Sequence, residues 1–223
     1  HRWTGVDVKL FNKSSDNIEV LSQSYRIPKA IHRVANKISK RISGRHEKIF
    51  TSRDEEGSVE YVNYLSEVPL SSGSFTLMAR TNGYVSEMAN YLRSNGFKFS
   101  RNGKSSLSDD MVGNILTWDT LCQDKSVGVQ QLKALYSGVK KQGKDAVVRR
   151  GSTQLLDALA PDDMLDMDTL IKDYGLQRDA STSAYDALNV ASSERDYIDA
   201  IFRRGEDLLS SPRIKVSTFH AMK

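Results

Sequence analysis

The chain has 223 residues and a formal net charge of +4, and 27% of its residues are charged. This length allows a sizeable core in one large or two modest domains, and the mild basic excess allows an anionic partner without requiring one. Cys122 is the only cysteine, which excludes an intrachain disulfide, and no apolar run approaches the roughly 20 residues of a membrane-spanning helix. We therefore expect a soluble, cytoplasmic protein with no membrane partner, or one in the host cytoplasm if it is phage-encoded.

The first third of the chain alternates strand-like and helix-like patterns. Residues 18–21 are a short candidate strand, and Ile27-Pro28 opens a predicted helix that Gly44 should end, since Pro is accommodated in a first helical turn. Its apolar stripe should pack on another element, and it consists of Ile31, Val34, Ala35, Ile38 and Ile42. The opposite face is either solvated or a contact for nucleic acid or nucleotide, and it carries Lys29, Arg33, Lys37, Lys40 and Arg41.

More strand patterns follow before residue 100. Residues 59–64 alternate like a half-covered strand, and residues 75–79 (F-T-L-M-A) form the apolar run typical of a buried parallel strand. The next helix should end at Asn95-Gly96, residues 97–99 should begin another strand, and the helix should direct inward Val85, Met88, Ala89 and Leu92. Strands that alternate with helices predict an α/β fold with a parallel sheet.

The pattern changes after residue 100. Residues 101–108 have the composition of a linker, and only helical periodicity follows up to residue 211. We predict a helix start at Pro161, with acidic residues in its first turn, and one long last helix between Tyr185 and Phe202. The predicted core stripes are Met111, Ile115, Trp118, Leu121; Val129, Leu132, Leu135, Tyr136; and Leu155, Leu156, Leu159. We therefore predict a helical insertion at residues 101–211 within a discontinuous domain of residues 1–100 and 212–223.

The last ten residues, I-K-V-S-T-F-H-A-M-K, return to a strand pattern. An apolar strand that ends in Thr218, His220 and Lys223 is typical of the edge of an α/β sheet where ligands bind, at the carboxyl ends of the strands. The chain starts at His1 without Met and stops within this pattern, so we expect it to be part of a longer polypeptide.

Four segments resemble, in order, motifs of the UvrD/Rep family of superfamily 1 DNA helicases. Residues 1–7 (H-R-W-T-G-V-D) resemble the end of motif III, and residues 21–28 (L-S-Q-S-Y-R-I-P) resemble motif IV. Residues 79–82 (A-R-T-N) are similar to motif IVa, and residues 216–223 (V-S-T-F-H-A-M-K) to the start of motif V. The resemblance implies a RecA-like second motor domain, with an accessory helical domain between motifs IVa and V, in a 3′-to-5′ ATP-dependent DNA translocase of DNA repair or replication.

The resemblance also implies roles in ATP hydrolysis for two residues. Arg26 matches the arginine that reaches the γ-phosphate of ATP, where a guanidinium neutralises developing charge, and Tyr25 would pack near the nucleotide. The alternative for Arg26 is a surface salt bridge. ATP and Mg²⁺ would be cofactors of the intact protein, with none expected to bind tightly to this chain alone, and we expect no metal site.

A single-stranded DNA track is implied as well. Trp3 and His1 match an aromatic pair on which bases stack, although His1 replaces tyrosine and Thr4 stands where the family has arginine. The alternative for Trp3 is a core aromatic, and for His220 a structural histidine. The residues that match the family's DNA side of this domain are Arg80, Thr81, Asn82, Thr218 and His220.

Several helicase motifs are absent from the chain. It contains no phosphate-binding G-x-x-x-x-G-K-[ST] loop, no Walker B match and no motif VI match, so we expect neither ATPase nor unwinding activity from it alone. The expected partners are single-stranded and junction DNA and a first RecA-like domain of the same polypeptide. Two alternatives stay open: part of an AddA/RecB-like helicase-nuclease, and a non-enzymatic module that binds DNA or a protein. A basic cluster in the insertion is either a solvated loop or a contact for duplex DNA, and it comprises Lys140, Lys141, Lys144, Arg149 and Arg150.

Overall fold

A computed structural model describes residues 19, 21–43 and 49–221. The chain divides into two compact units between Glu67 and Val68, and each is described by itself. His1, Trp3, Gly44 and Lys223 lie outside the described residues, and so does most of the predicted strand at residues 18–21. No helix in the described ranges is long and apolar enough to cross a membrane.

The first unit contains helix α1, Lys29–Ser39, and a 3₁₀ turn at Leu65–Glu67. Pro28 precedes α1 in an extended conformation, as predicted for this helix start. The N–H groups of Lys29 and Ala30 donate to the carbonyl oxygens of Glu55 and Glu56 over 3.0 and 2.8 Å. A neighbouring chain segment therefore satisfies the helix terminus in place of a capping side chain.

Three predictions in the first unit differ from the structure, and the first concerns α1, which ends at Ser39 and does not continue to Gly44. Residues 59–64 form no strand and are exposed, and the Asn63 N–H donates instead to the Glu67 carboxylate over 3.0 Å. Alternation predicts which face of a strand is covered, but a strand also needs a partner's backbone. The predicted apolar stripe is only partly covered, since Ile31 and Ile38 are 45% and 58% exposed while Val34 and Ala35 are half-buried. Ile42, 59% exposed, lies beyond the end of α1.

The second unit contains a four-stranded sheet. Its strands are β1 Phe75–Ala79, β2 Phe99–Arg101, β3 Lys104–Ser105 and β6 Ile214–Thr218, in the order β1-β6-β2-β3. β6 is parallel to both β1 and β2, and only β3 is antiparallel. The prediction of an α/β fold with a mostly parallel sheet is therefore confirmed.

Helix α2, Asn82–Ser94, follows β1 and packs against it and β6. It buries Val85, Ala89 and Leu92, as predicted, whereas Met88 is only half-buried. The helix ends at Asn95, and Gly96 follows with φ +68°, the left-handed conformation that glycine accepts most readily. A Cβ atom on Gly96 would collide with the Ala200 backbone carbonyl, so this position requires glycine for two reasons.

The predicted linker at residues 101–108 is instead a β-hairpin. Arg101 ends β2 and pairs with Lys104 of β3, and the two residues between them, Asn102 and Gly103, have φ +53° and +77°. Asn-Gly is the preferred pair for this tight turn, so the polar composition of the segment reflects turn chemistry. Ser108 then caps the next helix by accepting a hydrogen bond from the Met111 N–H.

Six helices occupy the chain between β3 and β6. The bounds are α3 Asp109–Cys122, α4 Val129–Gly138, α5 Ser152–Leu155 with a 3₁₀ turn at Leu156–Ala158, α6 Met167–Asp173, α7 Ala184–Ala187 and α8 Ser192–Arg203. The predicted stripes of α3 and α4 form the core here, with Trp118, Leu121, Leu132 and Tyr136 fully buried. In the third stripe only Leu156 is buried, and Leu155 is exposed.

This segment differs from the prediction in three places. It is not purely helical, because β4 (Val127–Gly128) and β5 (Met164–Leu165) form a small antiparallel sheet. The helix predicted at Pro161 starts after Asp166, whose carboxylate accepts the Thr169 N–H over 2.8 Å. The predicted last helix is two helices, since Asn189 adopts φ +50° between α7 and α8. Sheet and helices belong to one compact unit, and the domain boundaries at 100/101 and 211/212 stay predictions.

Candidate nucleic-acid interface

The carboxyl ends of β1 and β6 form one edge of the sheet. β1 leads directly into Arg80, Thr81 and Asn82, and β6 ends with Thr218 and leads to His220. Ala79 is opposite Thr218 in the register, and the Phe219 N–H donates to the Ala79 carbonyl over 3.1 Å. Five of the predicted DNA-binding residues, from two distant parts of the chain, therefore lie at one sheet edge, which we call the carboxyl edge.

The side chains of the carboxyl edge are accessible to a ligand. Arg80, Thr81, Asn82 and His220 are exposed, and Thr218 is half-buried. Neither the Arg80 guanidinium nor the His220 imidazole makes an ion pair or hydrogen bond with another residue in the part of the chain that the structure describes. The alternative that His220 is a structural histidine therefore has no supporting hydrogen bond among these residues.

The amino terminus of α2 adds donors to the same edge. Thr81 precedes the helix in an extended conformation, and its side chain makes no capping hydrogen bond. The first turn contains no acidic residue, so the positive end of the helix dipole is not offset by a carboxylate there. Backbone N–H groups and a dipole in this arrangement favour anions.

Arg101 is a basic residue near this edge that the sequence reading missed. It ends β2, and its guanidinium donates to the Ser86 hydroxyl over 3.2 Å. Ser86 in turn donates to the Asn82 carbonyl over 2.9 Å. The signal in the sequence is an arginine two residues after Phe99, in a segment whose polar composition predicts a linker.

Two cations of a different kind precede β2 and β6, at the amino ends of these parallel strands. Lys98 is 3% exposed, and its ammonium group donates to the carbonyl oxygens of Ser210, over 2.5 Å, and Leu208. Arg213 donates to the Gly73 carbonyl over 2.6 Å and to the Glu206 carboxylate over 2.7 Å. These contacts stabilise the loops that lead into β1 and β6 beside a cleft of about 300 Å³. We call this end the amino edge.

Tyr25 and Arg26 belong to the first unit. Both are exposed, Tyr25 by 82%, and they form a bend whose backbone is held on either side. The Ser24 N–H donates to the Thr51 carbonyl over 2.8 Å, and the Arg53 N–H donates to the Ile27 carbonyl over 3.1 Å. Arg26 forms no salt bridge with any described residue. Its guanidinium is therefore presented on a fixed backbone.

The two basic surfaces that the sequence indicated are partly neutralised. On α1, Lys29 pairs with Asp54 at 3.3 Å and Arg33 pairs with Glu56. In the later cluster, Lys140 pairs with Asp145 at 3.5 Å. Other basic residues of both surfaces, among them Lys37 and Arg41 on the first and Arg150 on the second, form no ion pair with a described residue, so both alternatives for these surfaces stay open.

His1 and Trp3 lie outside the described residues, so their base-stacking role stays a prediction. Within the described ranges, no group of three or more His, Cys, Asp or Glu residues is arranged to hold a metal ion.

Comparison with known proteins finds no matching family model, no matching curated protein and no matching solved structure.

Proposed function

We propose that this chain is a RecA-like second motor domain, with its helical insertion, from an ATP-driven DNA translocase of the UvrD/Rep type. One observation carries the proposal: β6 pairs in parallel between β1 and β2. Thr218 and His220, which resemble motif V, thereby lie beside Arg80 to Asn82, which resemble motif IVa. A track built from both motifs needs this strand order, and local sequence pattern does not impose it.

The carboxyl edge suits the backbone of a single strand. The Arg80 guanidinium supplies a positive charge, and Thr81, Asn82, Thr218 and His220 supply further hydrogen-bond donors for phosphate and sugar oxygens. Such contacts position a strand without reading its bases. A translocating motor requires this independence of sequence, because it must bind each successive nucleotide equally well.

Arg26 is the residue that we assign to ATP hydrolysis. ATP, bound with Mg²⁺ by a first motor domain, would supply the phosphoryl group. Arg26, beside Tyr25 on the exposed bend, would neutralise charge that develops on that group. The guanidinium fits this role because it is accessible and has no carboxylate partner among the described residues.

DNA binding tests the assignment of the edge. Fluorescence anisotropy with a labelled oligonucleotide of about 20 thymidines should show tight binding by the 223-residue chain and weaker binding after Arg80→Ala, Asn82→Ala or His220→Ala. The slope of log K against log salt should fall by about 0.7 in Arg80→Ala, as expected for one lost phosphate contact on a single strand.

Lys172→Ala on α6 is the matched control, since it removes one exposed positive charge far from both sheet edges in sequence. If Arg80→Ala and Lys172→Ala had the same effect on affinity and on the salt slope, the binding would be nonspecific attraction to net charge. The assignment of the carboxyl edge would then be wrong.

ATP hydrolysis tests Arg26. The 223-residue chain alone should show no DNA-stimulated ATPase. In a polypeptide that also contains the first motor domain, Arg26→Ala should lower turnover by about 10³-fold or more and leave DNA affinity unchanged. Arg26→Lys should not restore turnover, because a point charge does not reproduce the guanidinium fork. Normal hydrolysis in Arg26→Ala, with intact DNA binding, would show that the assignment of Arg26 to ATP hydrolysis is wrong.

A further inference from the structure

Two exposed aromatic residues are close in sequence to the polar residues of the carboxyl edge. Phe219 stands between Thr218 and His220, and Tyr84 lies in the first turn of α2, two residues after Asn82. Each is 58% exposed. The sequence reading assigned base stacking to His1 and Trp3 and gave neither of these residues a role.

Most other aromatic residues of the second unit are buried or half-buried, and Phe202 on α8, 53% exposed, is the exception. Trp118, Tyr136 and Tyr197 are at most 2% exposed, and Phe97 and Phe99 are buried as well. A single exposed aromatic needs no explanation. Two aromatics beside an unpaired arginine and free amide and hydroxyl donors form the combination that binds single-stranded nucleic acid.

Both rings stand on a fixed backbone. The Phe219 N–H donates to the Ala79 carbonyl over 3.1 Å, which extends the pairing of β6 with β1 by one residue. Tyr84 is anchored by α2, whose buried residues pack the helix against the sheet. Binding therefore orders only two side-chain torsions for each ring, which keeps the entropic cost low.

We propose that Phe219 and Tyr84 stack on bases of a single strand whose phosphates lie on Arg80 and the neutral donors of the carboxyl edge. This inference rests on the proposed function and specifies its ligand. Stacking requires unpaired base faces, so it selects single strands over duplex, and it tolerates any sequence because every base has a π-face. A purely backbone-binding edge would gain nothing from either ring.

An abasic oligonucleotide isolates the stacking contribution. The 223-residue chain is titrated into labelled single strands of about 20 thymidines and into strands of the same length with abasic sites in the central half. Phe219→Ala and Tyr84→Ala should each weaken binding to the thymidine strand about tenfold and leave binding to the abasic strand unchanged. Phe219→Tyr and Tyr84→Phe, which keep a ring, should bind both strands like the unaltered protein.

Phe202→Ala is the matched control, since Phe202 is a similarly exposed phenylalanine on α8. It should change neither affinity. Circular dichroism and the thermal midpoint of each variant show whether it is folded, so a folding defect is not counted as a loss of binding.

The outcomes separate this inference from the proposed function. Weakened binding in Arg80→Ala with normal binding in both aromatic-to-alanine variants would overturn stacking alone. An equal loss on thymidine and abasic strands, or equal affinity of the unaltered chain for duplex and single strand, would also overturn it. No binding of the unaltered chain to any single strand, or equal effects of Arg80→Ala and Lys172→Ala, would remove the proposed function and the stacking with it.

Discussion

Both edges of the sheet carry basic residues, but their partners differ. At the amino edge, Lys98 and Arg213 donate to backbone carbonyls and to the Glu206 carboxylate. At the carboxyl edge, Arg80 is exposed and has no partner among the described residues. A buried charge is tolerated only when its donors are satisfied. The fold supplies acceptors to Lys98 and Arg213 and none to Arg80 among the described residues, so only Arg80 is available to a ligand.

Removing the ammonium group of Lys98 should have the largest effect on stability. Lys98→Met keeps most of the side-chain volume but leaves the Leu208 and Ser210 carbonyls without this donor. We expect the free energy of unfolding in urea to fall by about 3 kcal/mol. The control is Arg80→Met at the other edge, which should change stability by at most about 0.5 kcal/mol. Equal losses in the two variants would contradict the distinction between the edges.

Gly96→Ala should have the next largest effect and lower the free energy of unfolding by about 2 to 3 kcal/mol. The alanine would have to adopt a positive φ, and its Cβ atom would collide with the Ala200 carbonyl. Gly103→Ala is the control, since Gly103 has φ +77° but nothing within 4 Å of an added Cβ atom. It should cost only the conformational strain, about 1 to 2 kcal/mol. The difference between the two urea midpoints measures the close approach of α2 to α8. A loss in Gly103→Ala as large as that in Gly96→Ala would mean that this approach contributes nothing.

Tyr197 supports the amino edge through its hydroxyl group. The hydroxyl donates to the Phe97 carbonyl over 2.8 Å and lies 2.6 Å from the Ser106 oxygen. Tyr197→Phe should lower the free energy of unfolding by about 1 to 2 kcal/mol. Tyr84→Phe, at an exposed position, should have almost no effect and serves as the control.

Alkaline titration sharpens the same prediction. Burial raises the pKa of Tyr197 to about 12 from an ordinary value of 10.0. The folded state thus disfavours the ionised form, so this contribution is fully present below pH 10.0 and is lost as the pH rises through about 12. Unfolding free energies measured across this range should decline less steeply in Tyr197→Phe. An unchanged slope would show that Tyr197 does not carry this dependence.

Acid should have the smallest effect, and it should act on the helical segment. The Thr169 N–H lowers the pKa of Asp166, and the Ser183 hydroxyl and the Arg195 guanidinium lower that of Asp186. The stabilisation that each lowered pKa gives the folded state is present at a pH above 3.8, the ordinary pKa of Asp, and is lost as the pH falls below it. Protection of backbone amides from hydrogen exchange near pH 3 to 4 should therefore be lost first around α6 and α7, with β6 still protected. Earlier loss of protection in β6 would contradict this order.

Local sequence signals predicted several elements to the residue. The apolar run at residues 75–79 became β1 with the same bounds, and Asn95-Gly96 ended α2 where expected. Asn102-Gly103 is also a local turn signal, but the polar composition around it predicts a linker and the structure shows a hairpin turn. It was misleading at residues 59–64, since alternating side chains do not supply a pairing partner.

The sequence alone determined the bounds of β1, the start of β6 at Ile214, and the core stripes of α3 and α4, because these depend on neighbours within a few residues. Only the tertiary structure decided that β6 enters between β1 and β2. That pairing brings Thr218 and Phe219 beside Ala79, directly before Arg80. It also separates exposed Arg80 from buried Lys98. Pairing between distant strands depends on backbone hydrogen bonds across the whole fold, and no local pattern encodes the partner.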